Sequence, residues 1–144
     1  MTSGTSVRSR QTVRIGLVVL ACTQAVIGVW ALLTPRGFYV GFPAAGHAWV
    51  ALLPPYNEHL VRDVGGLSLA MTVLLGAAAI HLERRLVRVA VLAFGVYTVP
   101  HALFHGLHLE RFSVLDAVAQ MIGFAVQVGI VLGVLILTHR QGPT

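Results

Sequence analysis

The stretch PHALFHGLHLE, residues 100–110, places three histidines within eleven residues of a strongly apolar region. His101, His105 and His108 follow the spacing i, i+4, i+7, which gathers them into one stripe if the region is helical. A histidine pair at i, i+4 can place both imidazoles on a single ion. The stripe therefore predicts nitrogen ligands for a divalent transition metal such as zinc, copper(II) or iron.

Two other apolar regions carry polar residues at the same helical spacing. His59 and Asp63 are four residues apart, as are Asp116 and Gln120, so each pair shares one face of its helix. With a rise of about 1.5 Å per residue, both pairs reach the depth of the histidine stripe. We therefore predict that the three stripes converge into two polar layers that hold a metal ion. The predicted layers are Asp63, His105 and Gln120, and above them His59, His108 and Asp116.

The predicted site combines ionisable ligands with a polar lining. Ionisable groups are costly inside a bilayer, and they usually face the interior of a helix bundle or a water-filled cavity. The predicted metal ligands are His101, His105, His108, Asp63, His59 and Asp116. The predicted pocket-lining residues are Gln120, Gln127, Gln24, Tyr97, Glu58 and Arg62. Glu58 and Arg62 are also spaced i, i+4 in the order that favours an ion pair within a helix.

The same polar residues admit two other interpretations. The histidines can pair with Asp63 and Asp116 through charge-assisted hydrogen bonds and only order the bundle, as in an accessory subunit of a larger membrane complex. They can also provide axial ligands to a haem, or contact a quinone, in a redox component. The chain contains no glycine-rich phosphate loop and no G-x-S-x-G, C-x-x-C or H-E-x-x-H motif. We therefore expect a binding protein rather than a complete enzyme.

Membrane-spanning helices must position these residues. The chain is 56% hydrophobic and only 10% charged, against about 25% charged residues in ordinary soluble domains. A span of about 20 apolar residues crosses the hydrocarbon of a bilayer. The predicted spans are residues 15–33, 60–82, 86–108 and 113–138. The sequence thus predicts an all-α fold, in which residues 1–144 form one integral membrane domain built as a four-helix transmembrane bundle.

The ten basic residues are all arginine, a usage typical of GC-rich bacterial genes, and they lie near the ends of the predicted spans. Seven fall on one side of the membrane if the chain crosses it four times, and the positive-inside rule assigns that side to the cytoplasm. They are Arg8, Arg10, Arg14, Arg84, Arg85, Arg88 and Arg140. We therefore predict a protein of the bacterial cytoplasmic membrane, with both termini in the cytoplasm and no nucleic-acid partner.

Residues 34–58 connect the first two predicted spans on the opposite, outer side of the membrane. Because this segment is too apolar for a solvated loop, we predict an interfacial or re-entrant cap over the outer mouth of the bundle, anchored by Tyr39 and Trp49. Pro43 predicts the start of a short helix in the cap, and the Pro54–Pro55 pair predicts its end. His47 also lies in this segment and is not included in the predicted site.

Gly129 and Gly133 form a small-xxx-small pair in the fourth predicted span. This pattern lets two helices approach closely. The pair lies away from the face that carries Asp116 and Gln127, so it predicts either a homodimer contact or packing within the same bundle. The predicted partners are the lipid bilayer and either a second copy of the chain or a larger membrane complex.

The second span opens with RDVGGLSLAM, residues 62–71, which contains an arginine and paired glycines. Together with the chain length, the four spans and the long first outer connection, this stretch resembles the DoxX-like group of small bacterial four-helix membrane proteins. The resemblance implies a four-helix bundle and, for some members, association with redox or quinone-linked complexes. It does not extend to the HALFHGLH stripe, so it implies no functional residue in this chain.

Overall fold

The computed structural model describes residues 3–53 and 55–140, with side chains from 7 to 139 apart from 54. These residues form five α-helices, a short 3₁₀ turn and no strand, which confirms the predicted all-α fold. The helices are α1 (Ser3–Leu33), α2 (Pro35–Gly41), α3 (Glu58–His81), α4 (Arg84–Gly106) and α5 (Val114–Arg140), and the 3₁₀ turn is Leu109–Arg111.

Helices α1, α3, α4 and α5 are long and apolar enough to cross a membrane. Their outward faces carry large apolar side chains that the chain itself does not cover. Leu67, Val73, Ile80 and Val96 are each at least 70% exposed. Extended apolar surface of this kind marks contact with lipid or with another protein. The protein is therefore a small integral membrane protein with a four-helix transmembrane bundle.

Two glycines allow α1 and α3 to pack closely in the half of the bundle next to the cap. A Cβ atom on Gly65 would lie only 2.6 Å from the backbone nitrogen of Leu32, and one on Gly28 would lie 2.8 Å from Cγ of Leu69. The backbone of Leu32 leaves no room for a Cβ at position 65, so this position requires glycine, whereas a Cβ at position 28 would require the side chain of Leu69 to move. This contact holds α3 against α1 in the half of the bundle that lies next to the cap.

The four long helices share one apolar core in the opposite half, which we call the Arg-rich end because it carries Arg14, Arg84, Arg85 and Arg88. Leu17 and Leu20 from α1, Leu75 from α3 and Phe94 from α4 are completely buried there, together with Val131 and Val134 from α5. The tight connection between α3 and α4, at Leu82 and Glu83, holds these two helices together at the same end.

Residues 34–53 and 55–57 form the cap at the other end of the bundle. Helix α2 begins at Pro35, because proline at the first helical position has the required φ and lacks only a hydrogen bond that is unmade there anyway. It ends at Gly41, and Phe42 is extended. The predicted helix start at Pro43 is therefore wrong, and Pro54 of the predicted helix end lies outside the described residues.

An aromatic cluster fastens the cap to the bundle. Phe38 is 6% exposed and packs against Trp30 of α1 with a ring-centroid distance of 5.8 Å. Phe42 contacts both of these rings and also Trp49, at centroid distances of 4.9 to 6.2 Å. The cap therefore lies over the bundle as predicted, but aromatic packing rather than a central helix holds it in place.

Candidate ligand pocket beneath the cap

A cavity of about 470 Å³ lies between the cap and the adjoining halves of the long helices. Its volume falls within the range of roughly 300–1,000 Å³ that is common for small-molecule sites. Most of its wall is apolar. Aromatic side chains from the cap, α4 and α5 contribute a large share: Phe38, Tyr39, Phe42, Trp49, Tyr97, Phe104 and Phe124. No Asp, Glu, Lys or Arg side chain lines the cavity among the residues that the structure describes.

His105 and Gln120 form the most buried polar part of the cavity wall. They are 8% and 3% exposed, and Nδ1 of His105 lies 2.5 Å from Oε1 of Gln120. Because an amide oxygen accepts hydrogen bonds, the imidazole donates from Nδ1 in this arrangement and its Nε2 is left as an acceptor. Helices α4 and α5 place the two residues at the same depth, as the predicted polar layer requires for this pair.

The amide nitrogen of Gln120 makes no hydrogen bond within the described part of the protein, although it is fully buried. Buried polar groups are almost always satisfied, and leaving one unsatisfied costs about 1–3 kcal/mol. Gln120 lines the cavity. An acceptor supplied by a bound molecule would satisfy this donor.

His101 forms the neighbouring part of the wall through aromatic packing. Its ring stacks on Tyr97 at a centroid distance of 5.4 Å and meets the rings of His105 and Phe124 edge-on at 4.7 and 5.3 Å. The two histidines therefore lie side by side in the wall. Within the described ranges, no three His, Cys, Asp or Glu side chains come together in a group that could hold a metal ion.

Asp63 and His59 do not reach the cavity, so the predicted layer with Asp63 does not form. They pair with each other at 3.3 Å on the outside of α3, with side chains 52% and 82% exposed. Helix α3 uses Val61 and Gly65 to pack inward. Residues two positions away lie about 200° around the helix, so this inward face turns His59 and Asp63 away from the bundle.

Asp116 joins the cap to the start of α5 and does not contact His59 or His108. Its Oδ1 accepts hydrogen bonds from Nδ1 of His47 at 2.6 Å and from Nε1 of Trp49 at 2.8 Å. The hydroxyl of Ser113 donates to Oδ2 at 2.7 Å. We call His47, Trp49 and Asp116 the cap latch. The second predicted layer is therefore replaced by a contact between the cap and α5.

His108 is turned back onto its own helix. Its Nδ1 donates to the backbone oxygen of Phe104 at 2.7 Å, and its ring stacks on Phe104 at a centroid distance of 4.2 Å. The helix ends at Gly106, so His108 lies beyond the regular i, i+4, i+7 stripe. Of the three histidines in the stripe, only His101 and His105 line the cavity.

The predicted pocket-lining residues divide into two groups. Gln120, Gln127 and Tyr97 lie in the cavity wall, whereas Gln24, Glu58 and Arg62 do not. Gln24 is buried within the bundle, at 2% exposure.

Glu58 and Arg62 form the expected ion pair at 2.9 Å, and Arg62 also donates to the backbone oxygen of Leu32. The ion pair therefore lies within α3, and the hydrogen bond from Arg62 joins α3 to the end of α1. The phenol of Tyr56 donates to Glu58 at 3.3 Å, and partial desolvation together with this carboxylate raises its pKa. Tyr56 therefore remains a neutral donor.

Residue spacing did not identify the aromatic wall or the role of His47 in the latch. The available signal was compositional: the cap contains six aromatic residues between Phe38 and Tyr56 if His47 is counted with Phe, Tyr and Trp. Such a segment must bury these rings against something. Comparison with known proteins adds no assignment, since no family model, curated protein or solved structure matches the chain.

Proposed function

We propose that this membrane protein binds a neutral, largely apolar small molecule in the pocket beneath the cap. The observation that carries the proposal is that Gln120 lines the cavity while its buried amide nitrogen has no hydrogen-bond partner among the described residues. A carbonyl or hydroxyl oxygen of the ligand would accept from this nitrogen. A hydroxyl could also donate to Nε2 of His105.

The electrostatics of the wall favour a neutral ligand. A charged group in a low-dielectric cavity needs an opposite charge and hydrogen bonds to offset its lost hydration. The described lining provides aromatic rings, two imidazoles and amides, and no ionic side chain. Apolar area buried against the aromatic wall would contribute roughly 25 cal/mol per Å² relative to water, but little relative to lipid acyl chains, which are equally apolar. The polar contact would then select which apolar molecule is retained.

Paired ligands test the proposal. We expect 2-dodecanone to bind the protein in lipid nanodiscs more tightly than dodecane, because only the ketone accepts from Gln120. The preference should be about 2- to 13-fold, the equivalent of one hydrogen bond of 0.5–1.5 kcal/mol. Intrinsic tryptophan emission reports binding, since Trp49 lines the cavity.

The matched variants are Gln120→Leu in the wall and Gln11→Leu on the exposed surface at the Arg-rich end. Gln120→Leu should abolish the preference for ketone over alkane, while Gln11→Leu should retain it. Because the readout is a ratio of two ligands in one variant, a general loss of stability does not imitate this result. Equal binding of both ligands by the unmodified protein would refute the proposal.

Metal binding stays a prediction and requires a rearrangement that brings a third ligand to His101 and His105. Elemental analysis of protein purified in mild detergent without a histidine tag tests it. Stoichiometric zinc, copper or iron that is lost in the double variant H101A/H105A would establish a metal site. The redox alternative has two cases. A quinone is a neutral carbonyl compound and so belongs to the proposed ligand class, whereas bound haem would produce a Soret band in the visible absorption spectrum.

We also propose an orientation in the membrane and a surface for protein partners. The arginines at the end opposite the cap support a cytoplasmic Arg-rich end in a bacterial cytoplasmic membrane, with the pocket in the outer half of the bilayer. Gly129 and Gly133 lie where an added Cβ would meet no atom within 4 Å. This open face could pack a second copy or a larger membrane complex. The DoxX-like resemblance stays a prediction.

A further inference from the structure

The long helices form two pairs that separate toward the cap. In this half of the bundle, α3 packs on α1 through Gly65, while α4 packs on α5 through the pair His105–Gln120. The apolar core common to all four helices lies toward the Arg-rich end. The cavity occupies the space that this separation leaves between the pairs.

The cavity has an apolar rim between α3 and α4. Leu60 and Val64 of α3 line it and are 58% and 40% exposed. Tyr97 and Phe104 of α4 line it from the other side and are 37% and 47% exposed. Side chains that both line a cavity and remain accessible mark its opening. Since α3 and α4 are long and apolar enough to cross a membrane, this opening would face lipid acyl chains in a bilayer.

The cap covers the cavity at the end of the bundle. Phe38 and Phe42 pack on Trp30, and the latch through Asp116 holds Trp49 over the cavity. A molecule from the aqueous phase would meet this aromatic cover and, beside it, the exposed Pro55 and Asn57, which also line the cavity. A molecule dissolved in the bilayer would meet the apolar rim.

We infer that the ligand is a single-chain, neutral amphiphile that enters from the bilayer between α3 and α4. Its carbonyl or hydroxyl group lies at Gln120, and its hydrocarbon chain leaves the cavity between Val64 and Tyr97. This inference rests on the proposed function and specifies its ligand class. The molecule would then lie across the bundle, with its polar group in the interior and its chain among the lipid acyl chains.

A chain-length series of 2-alkanones tests the inference in nanodiscs, with concentration expressed as mole fraction in the lipid. If the chain leaves through the gap, ketones of twelve to eighteen carbons should bind within about threefold of one another, since their extra methylenes stay in lipid in both states. If the pocket is closed, ketones longer than the cavity should bind roughly tenfold more weakly or not at all, because a packed cavity tolerates added methylenes poorly.

A variant that blocks the opening between α3 and α4 provides a second test. Val64→Phe places a ring in the opening, and Val73→Phe is its control on a face of α3 that is 72% exposed and does not line the cavity. Val64→Phe should slow ketone association by about tenfold or more, while Val73→Phe leaves the rate unchanged. Saturable binding with a sharp length limit, or an unchanged rate in Val64→Phe, overturns this inference alone. Failure of every ketone to bind overturns the proposed function as well.

Discussion

Nδ1 of His105 donates to Oε1 of Gln120 across 2.5 Å, and this hydrogen bond joins α4 to α5 in the wall of the cavity. It uses the acceptor of the Gln120 amide and leaves the donor unused within the described residues. One polar pair therefore has two consequences: it links the helices, and it leaves a buried hydrogen-bond donor unsatisfied in a residue that lines the pocket.

Removing the imidazole should destabilise the bundle. His105→Leu leaves both polar atoms of Gln120 without a partner, so we expect the free energy of unfolding to fall by about 1–3 kcal/mol. His59→Leu is the control because its side chain is 82% exposed, and surface substitutions usually change stability by less than about 0.5 kcal/mol. Thermal unfolding in detergent measures both. Equal effects of the two substitutions would contradict the contact.

The close contact between α1 and α3 should make two adjacent glycines respond differently to substitution by alanine. Gly65→Ala would place Cβ at 2.6 Å from the backbone nitrogen of Leu32, whereas Gly66→Ala would meet no atom within 4 Å. We expect Gly65→Ala to lower stability by about 1–3 kcal/mol and Gly66→Ala to be neutral or to raise it by up to about 1 kcal/mol. Thermal unfolding distinguishes the variants. A tolerated alanine at 65 would rule out this helix contact.

The latch should control local opening of the cap. Asp116→Ala removes the acceptor of the hydrogen bonds from His47 and Trp49, and we expect the free energy of local opening to fall by about 1–2 kcal/mol. Amide hydrogen exchange in residues 42–53 should then accelerate about 5- to 30-fold. Glu110→Ala is the control, because Glu110 is exposed and pairs only with the adjacent Arg111 in the described part of the chain. Similar exchange in both variants would show that the aromatic packing alone holds the cap.

Hydropathy was sufficient to predict the four spans and the cap, because crossing a bilayer requires long apolar helices whatever their partners. Helical rise also placed His105 and Gln120 at one depth correctly. Depth is a property of each helix by itself, so it can be computed before the packing is known. These two successes therefore have the same origin.

The orientation of α3 could not be obtained in this way. The pair His59–Asp63 and the pair Val61–Gly65 have identical i, i+4 spacing, so periodicity alone cannot decide which pair faces inward. The backbone of α1 at Leu32 decides it, because only glycine fits against that backbone. The predicted metal-ligand set required His59 and Asp63 to face inward. The contact between Gly65 and Leu32 turns the opposite face of α3 inward, so Asp63 and His59 are absent from the cavity wall.

The cap required contacts that are distant in the sequence. Asp116 is 69 residues from His47 and 67 residues from Trp49. Its i, i+4 spacing from Gln120 predicted a position in the bundle interior, but its carboxylate lies at the start of α5 and accepts hydrogen bonds from the cap. Without knowledge of the cap path, a carboxylate at a helix end cannot be assigned to one of these environments.

The side-chain amide resonance of Gln120 provides the most direct test of ligand binding in this pocket. We expect its ¹H–¹⁵N signal, assigned by its absence in Gln120→Leu, to move downfield when 2-dodecanone is added to the protein in nanodiscs. Dodecane should produce no such shift, and the signal of the exposed Gln11 should stay in place with either ligand. A Gln120 signal that does not move at saturating ketone, or that moves equally with the alkane, would contradict the proposed hydrogen bond and the function based on it.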